Sequence, residues 1–368
     1  MRIMQRSGKS KIWGKDGKMA EAGGRKIEYE KIRVCAMLFM VMFHCCGSMG
    51  GFIDTAGERW LNDGLTLLFI TCNSLFFMLS GKFALAVRCE TVSDYQRYYG
   101  KKLTNILVPT LLYMFLRSLL EYGGRFWEIS FWKTWVRNVC YDYAGTEYWF
   151  LYTLLGLLLL APLLHKMAAN LKKGEMWLLI AFGLVFHSIR SYAPYVNLSF
   201  SWQYIFGGWA FYFMLGCFLE KVIDTPKKEN IVIAAGGLCF VISMIQKQFG
   251  LTSNIHDLAP TFTMISCAVF FLLKRNYFGK SDFFRSMIMK AGSYSFAVYL
   301  IHNPVRNLLF DHILPHVSET AYLPNLLELG ICTLVTSFVL AVICENTLVR
   351  AAKWAVGEII YRFWRKGA

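Results

Sequence analysis

Apolar residues run through this chain in stretches of about twenty, separated by short polar segments. Neither the two-residue alternation of a half-buried strand nor the single apolar stripe of a soluble helix organises them. That length matches an α-helix crossing the hydrocarbon of a bilayer. The pattern predicts about ten spans, near 33–50, 64–84, 103–120, 148–165, 176–190, 204–222, 230–246, 259–274, 291–311 and 325–348. The fifth and eighth are barely long enough. The expected fold class is all-α, a polytopic membrane helix bundle of about ten transmembrane helices, because open sheet cannot satisfy its backbone in lipid.

The polar segments orient this bundle. With Lys82 and Arg117 left to their spans and the other cations near span ends counted in the adjoining connection, thirty of the 39 Lys and Arg belong to the tails and the even-numbered connections, and seven to the odd-numbered ones. That asymmetry predicts cytoplasmic N and C termini and an even number of spans. Residues 1–30 are expected to be a basic, mobile tail, with Met19 an alternative start to Met1. Residues 31–350 form the transmembrane domain, and residues 351–368 a basic cytoplasmic tail. No small-residue cleavage site follows the first apolar run, which is therefore expected to stay as an anchor. The connection 121–147 carries "RFWEISFWKTW" and is expected to lie at the outer interface as an amphipathic segment.

Composition agrees. Of 368 residues 56% are hydrophobic and 17% charged, too apolar for a soluble protein of this size. The net charge of +15 comes without a basic groove interleaved with aromatics, so it is read as loop charge facing cytoplasm and anionic membrane lipids, with no nucleic acid as partner. Eleven Cys lie mostly inside apolar runs with no CxxC pair, and act as small hydrophobes. "GKS" at 8–10 lacks the upstream Gly of a phosphate-binding loop. "HILPH" has metal-ligand spacing between His312 and His316, but Pro315 breaks the helix such a pair needs, so no metal is expected. Asn197-Leu198-Ser199 matches a glycosylation acceptor, a pattern common by chance.

What remains is a set of polar residues within apolar runs. In "RVCAMLFMVMFH", Arg33 and His44 are eleven steps apart, about three helical turns, so both leave the same helix face roughly 16 Å apart. Alone, Arg33 fits a snorkelling residue at a helix end, and His44 fits a histidine hydrogen-bonded between helices. Together they point to chemistry, since a neutral imidazole can accept a proton near physiological pH. Asn73 and Ser80 share a face in "NSLFFMLSGKF", where Gly81 permits close helix approach. Arg88, Arg97, Lys101 and Lys102 follow, a basic cluster that suits a polyphosphorylated ligand and equally fits positive-inside loop charge. In "SYSFAVYLIHNPV", Ser295, Tyr299, His302 and Arg306 recur at helical spacing. His187 with Arg190, Glu147 at the start of the fourth span, and Glu345 in the last complete the set. Such stripes line cavities or satisfy one another between helices.

These residues carry a family resemblance. The Arg-x10-His helix, "FFMLSG" closing the second span, the basic run before "NILVP" (105–109), "YWFL" (148–151), "FMLG" (213–216), "YLIH" (299–302) and "CEN" (344–346) occur in the order seen in the acyltransferase-3 family of membrane acyltransferases. The resemblance covers residues 28 to 350. Glu30 stands where the family commonly has Asp, Asn105 replaces a usual Arg, Lys82 takes an aromatic place, and "ENT" lacks the Pro that often follows the Glu.

The resemblance implies a multi-pass enzyme of a bacterial inner or plasma membrane. It would move an acyl group, most often acetyl from cytoplasmic acetyl-CoA or another acyl-CoA, to a hydroxyl of an envelope or exported glycan or a lipid-linked sugar. His44 would be the general base and Arg33 would reach the CoA phosphates, joined by Arg88, Arg97, Lys101 and Lys102. Asn73, Ser80, Glu147, Tyr299 and His302 are candidates for substrate contact or oxyanion stabilisation. Direct transfer and an acyl-histidine intermediate both fit. The competing reading is a transporter or flippase for a glycan or lipid-linked precursor, which also needs intramembrane His, Arg and Glu; a non-catalytic scaffold is the third.

Overall fold

The computed structural model describes residues 25–123, 125–198, 208–251, 258–275, 281–313 and 322–366, and every regular element among them is helical. The expected tail up to residue 24, with Met1, Met19 and "GKS", lies outside the described residues, as do Ser199 and His316. In chain order the helices are α1 (Ile27–Ser48), α2 (Ala56–Phe69), α3 (Thr71–Ala84), α4 (Val92–Lys102), α5 (Val108–Glu121), α6 (Ile129–Cys140) and α7 (Trp149–Asn170). They continue with α8 (Lys173–Tyr192), α9 (Trp209–Val222), α10 (Pro226–Gln248), α11 (Pro260–Lys274), α12 (Asp282–Ile313), α13 (Tyr322–Cys344) and α14 (Arg350–Lys366). Two starts are fixed by reciprocal capping, Thr55 with Glu58 and Thr91 with Asp94, and α10 and α11 open on Pro226 and Pro260, where no N–H is needed.

Seven helical stretches among the described residues, not about ten, are long and apolar enough to cross a membrane: Ile27–Phe52, Ala56–Ala84, Val92–Glu121, Trp149–Asn170, Lys173–Val196, Pro226–Gln248 and Tyr322–Ile360. The expected spans near 204–222, 259–274 and 291–311 correspond to α9, α11 and α12. Helix α9 has 14 residues and α11 has 15, and both are buried along most of their length. Helix α12 has 32 residues, but Ser295, His302, Asn303 and Arg306 dilute its apolar character. It packs between α1 and α13. A helix enclosed by protein need not meet the length and hydropathy that lipid imposes, so a scale built on lipid contact miscounts it.

The bundle is apolar on the outside. Leu327, Ile331, Val335, Val339 and Ile343 recur every fourth residue along α13 and are exposed, while Gly330, Thr333, Ser337 and Ala341 of the same helix are buried. Helix α6 occupies the expected amphipathic connection: Trp132 stacks on Phe115 at 5.6 Å, while Ile129 and Val136 stay exposed.

The tightest crossing joins α3 and α9. A Cβ built on Gly81 would lie 1.7 Å from the Phe213 carbonyl oxygen, and one on Gly216 would lie 1.9 Å from that of Met78. Two backbones therefore touch at reciprocal glycines. Beside the crossing, Glu220 pairs with Lys82 of α3 and with Lys274 of α11 at 2.6 Å, and accepts a hydrogen bond from the Tyr29 hydroxyl of α1 at 3.0 Å. Lys31 donates to the Arg275 carbonyl at 2.8 Å. At the same end, Lys173 and Lys228 bind Asp224 in the turn between α9 and α10, and hold its carboxyl well below the usual carboxylate range.

Two internal prolines have tyrosine partners. Pro162 has no N–H for the Leu158 carbonyl, and the Tyr98 hydroxyl donates to that oxygen at 2.9 Å. Pro304 likewise frees the Leu300 carbonyl, which accepts from the buried Tyr148 hydroxyl at 2.8 Å. Between α4 and α5, residues 103–107 form a wide π-turn in which the Val108 N–H bonds the Leu103 carbonyl, immediately before Pro109.

Gly216→Ala is expected to cost about 3 kcal/mol or more, because backbone must move. The thermal unfolding midpoint in detergent should fall, while Gly237→Ala, with open space at its Cβ position, should leave it unchanged. Tyr148→Phe leaves the Leu300 carbonyl without a donor and should cost about 1–3 kcal/mol by the same measurement.

Candidate active site

Successive residues on one face of α1 set the inner end of the site. Glu30 is buried between two guanidiniums: Arg33 Nη1 is 2.7 Å from its Oε1, and Arg25 binds both of its oxygens, with Nε at 2.9 Å. Two cations share one carboxylate, so a positive charge remains. Gly292 of α12 makes room for this group, since a Cβ there would stand 2.2 Å from Glu30 Oε2.

These cations open onto a cavity of about 800 Å³. Its walls follow helical spacing: Phe76 and Ser80 on α3, Phe150 and Leu154 on α7, and Gly292, Ser295, Phe296 and Tyr299 on α12. The π-turn adds Asn105 and Ile106. The cavity is cationic at one end and mainly apolar along its body. Ser80 and Asn105 present donors to it.

Tyr299 marks the far end. Its hydroxyl donates to the Glu147 backbone carbonyl, and its ring lies 5.5 Å from that of Phe150 and 6.0 Å from that of His302. His302 is fully buried, with Nδ1 2.7 Å from the Tyr299 carbonyl oxygen. Because that oxygen can only accept, Nδ1 is assigned the proton. Nε2 then carries a lone pair, and it has no partner among the described residues. The His302 ring lies 5.0 Å from the ring of His44. Arg306 donates to the His44 carbonyl at 2.9 Å and fixes α12 against α1.

Arg33 therefore lines the cavity and His44 does not. Met37, Met40 and Val41, between them on α1, are at most 2% exposed. The link between the two ends runs along α12 through Tyr299 and His302. Of the other candidates, Ser80 and Tyr299 line the cavity, and Asn73 lies one turn outward of Phe76 on the same helix, outside the lining. The Glu147 carboxylate is taken by Arg117 at 2.6 Å, which also binds Glu121 at 2.7 Å and lies over the ring of Tyr148. Arg88, Arg97, Lys101 and Lys102 surround a separate pocket of about 240 Å³. His187 has ordinary partners: its Nε2 accepts from the Gly208 N–H at 3.0 Å, and Nδ1 is 3.2 Å from Thr263 Oγ1.

Sequence reasoning missed Arg25, Asn105, Arg117 and Tyr148. Two of them had a signal. An Arg within an apolar span needs a carboxylate, and a Pro within a span needs a donor for the carbonyl four residues back.

The model of the acyltransferase domain family designated acyltransferase-3 matches residues 28–345. Among curated proteins, three similar chains are from Staphylococcus aureus strains MRSA252, MSSA476 and MW2, each named probable poly-beta-1,6-N-acetyl-D-glucosamine export protein. Each is 23% identical over 285 residues, covering 69% of this chain and 76% of the relative. No solved structure matches. The family match takes in the Arg33–Glu30 pair, the cavity wall apart from Arg25, and the two neighbouring histidines, and the chain belongs to the acyltransferase-3 family of membrane acyltransferases.

Proposed function

We propose that this membrane acyltransferase takes an acyl group, acetyl in the first place, from acyl-CoA on the cytoplasmic side and transfers it to a hydroxyl of an exported or envelope glycan or its lipid-linked precursor. One observation carries the reading: a single cavity has two guanidiniums at one end and, at the other, a tyrosine that leads through His302 to His44. Arg25 and Arg33 receive the donor's diphosphate, and the pantetheine arm lies along Phe76, Phe150 and Phe296 toward Tyr299. The glycan acceptor is supported by the name carried by the staphylococcal relatives.

His44, behind Tyr299 and His302 and outside the cavity wall, takes the proton from an acceptor hydroxyl that enters from the outer side, as its oxygen attacks the thioester carbonyl. The tetrahedral oxyanion is stabilised by donors at the cavity wall, with Ser80 and Asn105, which line it, as the candidates. Collapse breaks the C–S bond, and the leaving thiolate recovers the proton from His44. His302, its Nδ1–H held by the Tyr299 carbonyl, keeps its other nitrogen unprotonated, and its ring lies beside that of His44.

The relatives' name also favours a second reading, export of a glycan without acylation. Membranes supplied with acetyl-labelled acetyl-CoA separate the two: acylation leaves label covalently on glycan, whereas export moves unlabelled glycan and leaves the donor intact.

His44→Ala should lower label transfer by about 10²- to 10⁴-fold while the protein still inserts; normal transfer would remove His44 as the base. Arg33→Gln leaves Glu30 paired to Arg25 and should raise the donor KM by about ten- to a hundredfold with kcat little changed. Steady-state rates at varied acetyl-CoA check this, and an unchanged KM would move the phosphates away from Arg33.

A further inference from the structure

On the outer side of the π-turn that presents Asn105 and Ile106 to the cavity, an apolar cleft of about 490 Å³ opens on the flank of the bundle. Leu103 and Leu107 of the same turn, Leu155, Leu158 and Leu159 of α7, and Ile359 of α14 form its walls. Lys102 stands at one end. It also lines the pocket of Arg88, Arg97 and Lys101, so the cleft runs into a basic site. No residue that lines either of these lines the cavity of Arg33.

The charges of this pocket are poorly compensated from within. Arg88 pairs with Glu90, and the Asp94 carboxylate is occupied in capping Thr91. Arg97, Lys101 and Lys102 form no ion pair among the described residues. An aliphatic slot in the flank of a membrane protein accepts any acyl chain. Lys102 stands over the Tyr98 ring at 5.2 Å, and cations held in no ion pair at the end of the slot select an anionic headgroup. The pocket lies at the end of the bundle where Lys and Arg concentrate, which the charge asymmetry assigns to the cytoplasm.

We propose that cleft and pocket together bind one anionic phospholipid of the cytoplasmic leaflet, with an acyl chain between α7 and α14 and its phosphate on Arg97, Lys101 and Lys102. This separates the basic cluster from the donor-binding role that sequence order suggests for it. It does not rest on the identity of the acyl acceptor.

Native mass spectrometry of the full chain, released from nanodiscs holding equal phosphatidylglycerol and phosphatidylcholine, tests this directly. The wild-type protein should retain phosphatidylglycerol preferentially, and the double variant K101Q/K102Q should lose roughly thirtyfold of that affinity with phosphatidylcholine retention unchanged. Should the variant fold poorly, salt titration of the wild-type protein gives the same information: phosphatidylglycerol retention should fall with rising salt, and phosphatidylcholine retention should not. Equal retention of the two lipids, an undiminished preference in the variant, or an absence of salt dependence overturns the proposal. Displacement of phosphatidylglycerol by coenzyme A would return the cluster to the donor, and stronger retention of polyprenyl phosphate would assign the cleft to a carrier lipid. Either result also overturns it.

Discussion

The contact of the α3 and α9 backbones sets the position of most of what surrounds it. Neither helix has a side chain at the crossing, so Gly81 rests on Phe213 and Gly216 on Met78. Lys82 follows the first glycine directly, and Glu220 follows the second by about one turn. The crossing brings these charges together, within reach of Tyr29 on α1 and Lys274 on α11. Four helices are thereby tied at one end by a carboxylate with several partners, the condition under which a largely buried charge is tolerated. One residue before the crossing, Ser80 faces the cavity. A single steric condition thus places the ionic clamp and one wall of the site.

The other end is organised by a different shortage. Helix α12 must carry Tyr299, His302 and Arg306 toward α1, and Pro304 interrupts its hydrogen bonding in that stretch. The carbonyl left open is filled from outside the helix by Tyr148, which adjoins Glu147 and its Arg117 partner. The Tyr299 hydroxyl returns to the Glu147 backbone. The start of α7 therefore holds α12 at two adjacent residues, Tyr299 and Leu300, and His302 follows within one turn. Polar groups at that depth are costly unless each has its partner, and this arrangement supplies most of them.

Sequence reveals the features that depend on one helix. Arg33 and His44 share a face because the helical period requires it, and Gly81 reads as a close approach because a glycine in an apolar span has few other uses. Features that depend on rotation between helices were not legible. Arg117 and Glu147 meet across the connection 121–147, whose aromatic pattern does not say which of its flanking charges pair. The inner helices α9 and α11 fall short of the length, and α12 of the hydropathy, of lipid-facing helices. Lys101 and Lys102 lie only three or four residues before Asn105, yet one wide turn puts them in a different pocket. The face shared by Arg33 and His44 is filled by Met37, Met40 and Val41, which only the packing could disclose.

The turn at 103–107 is a wall shared by two compartments. Asn105 and Ile106 line the cavity, while Leu103 and Leu107 line the cleft on the flank. Any displacement of this partition enlarges one compartment at the expense of the other. The room left for a guest inside is therefore mechanically tied to whatever presses on the flank, and the thickness and lateral pressure of the surrounding bilayer become variables of the reaction.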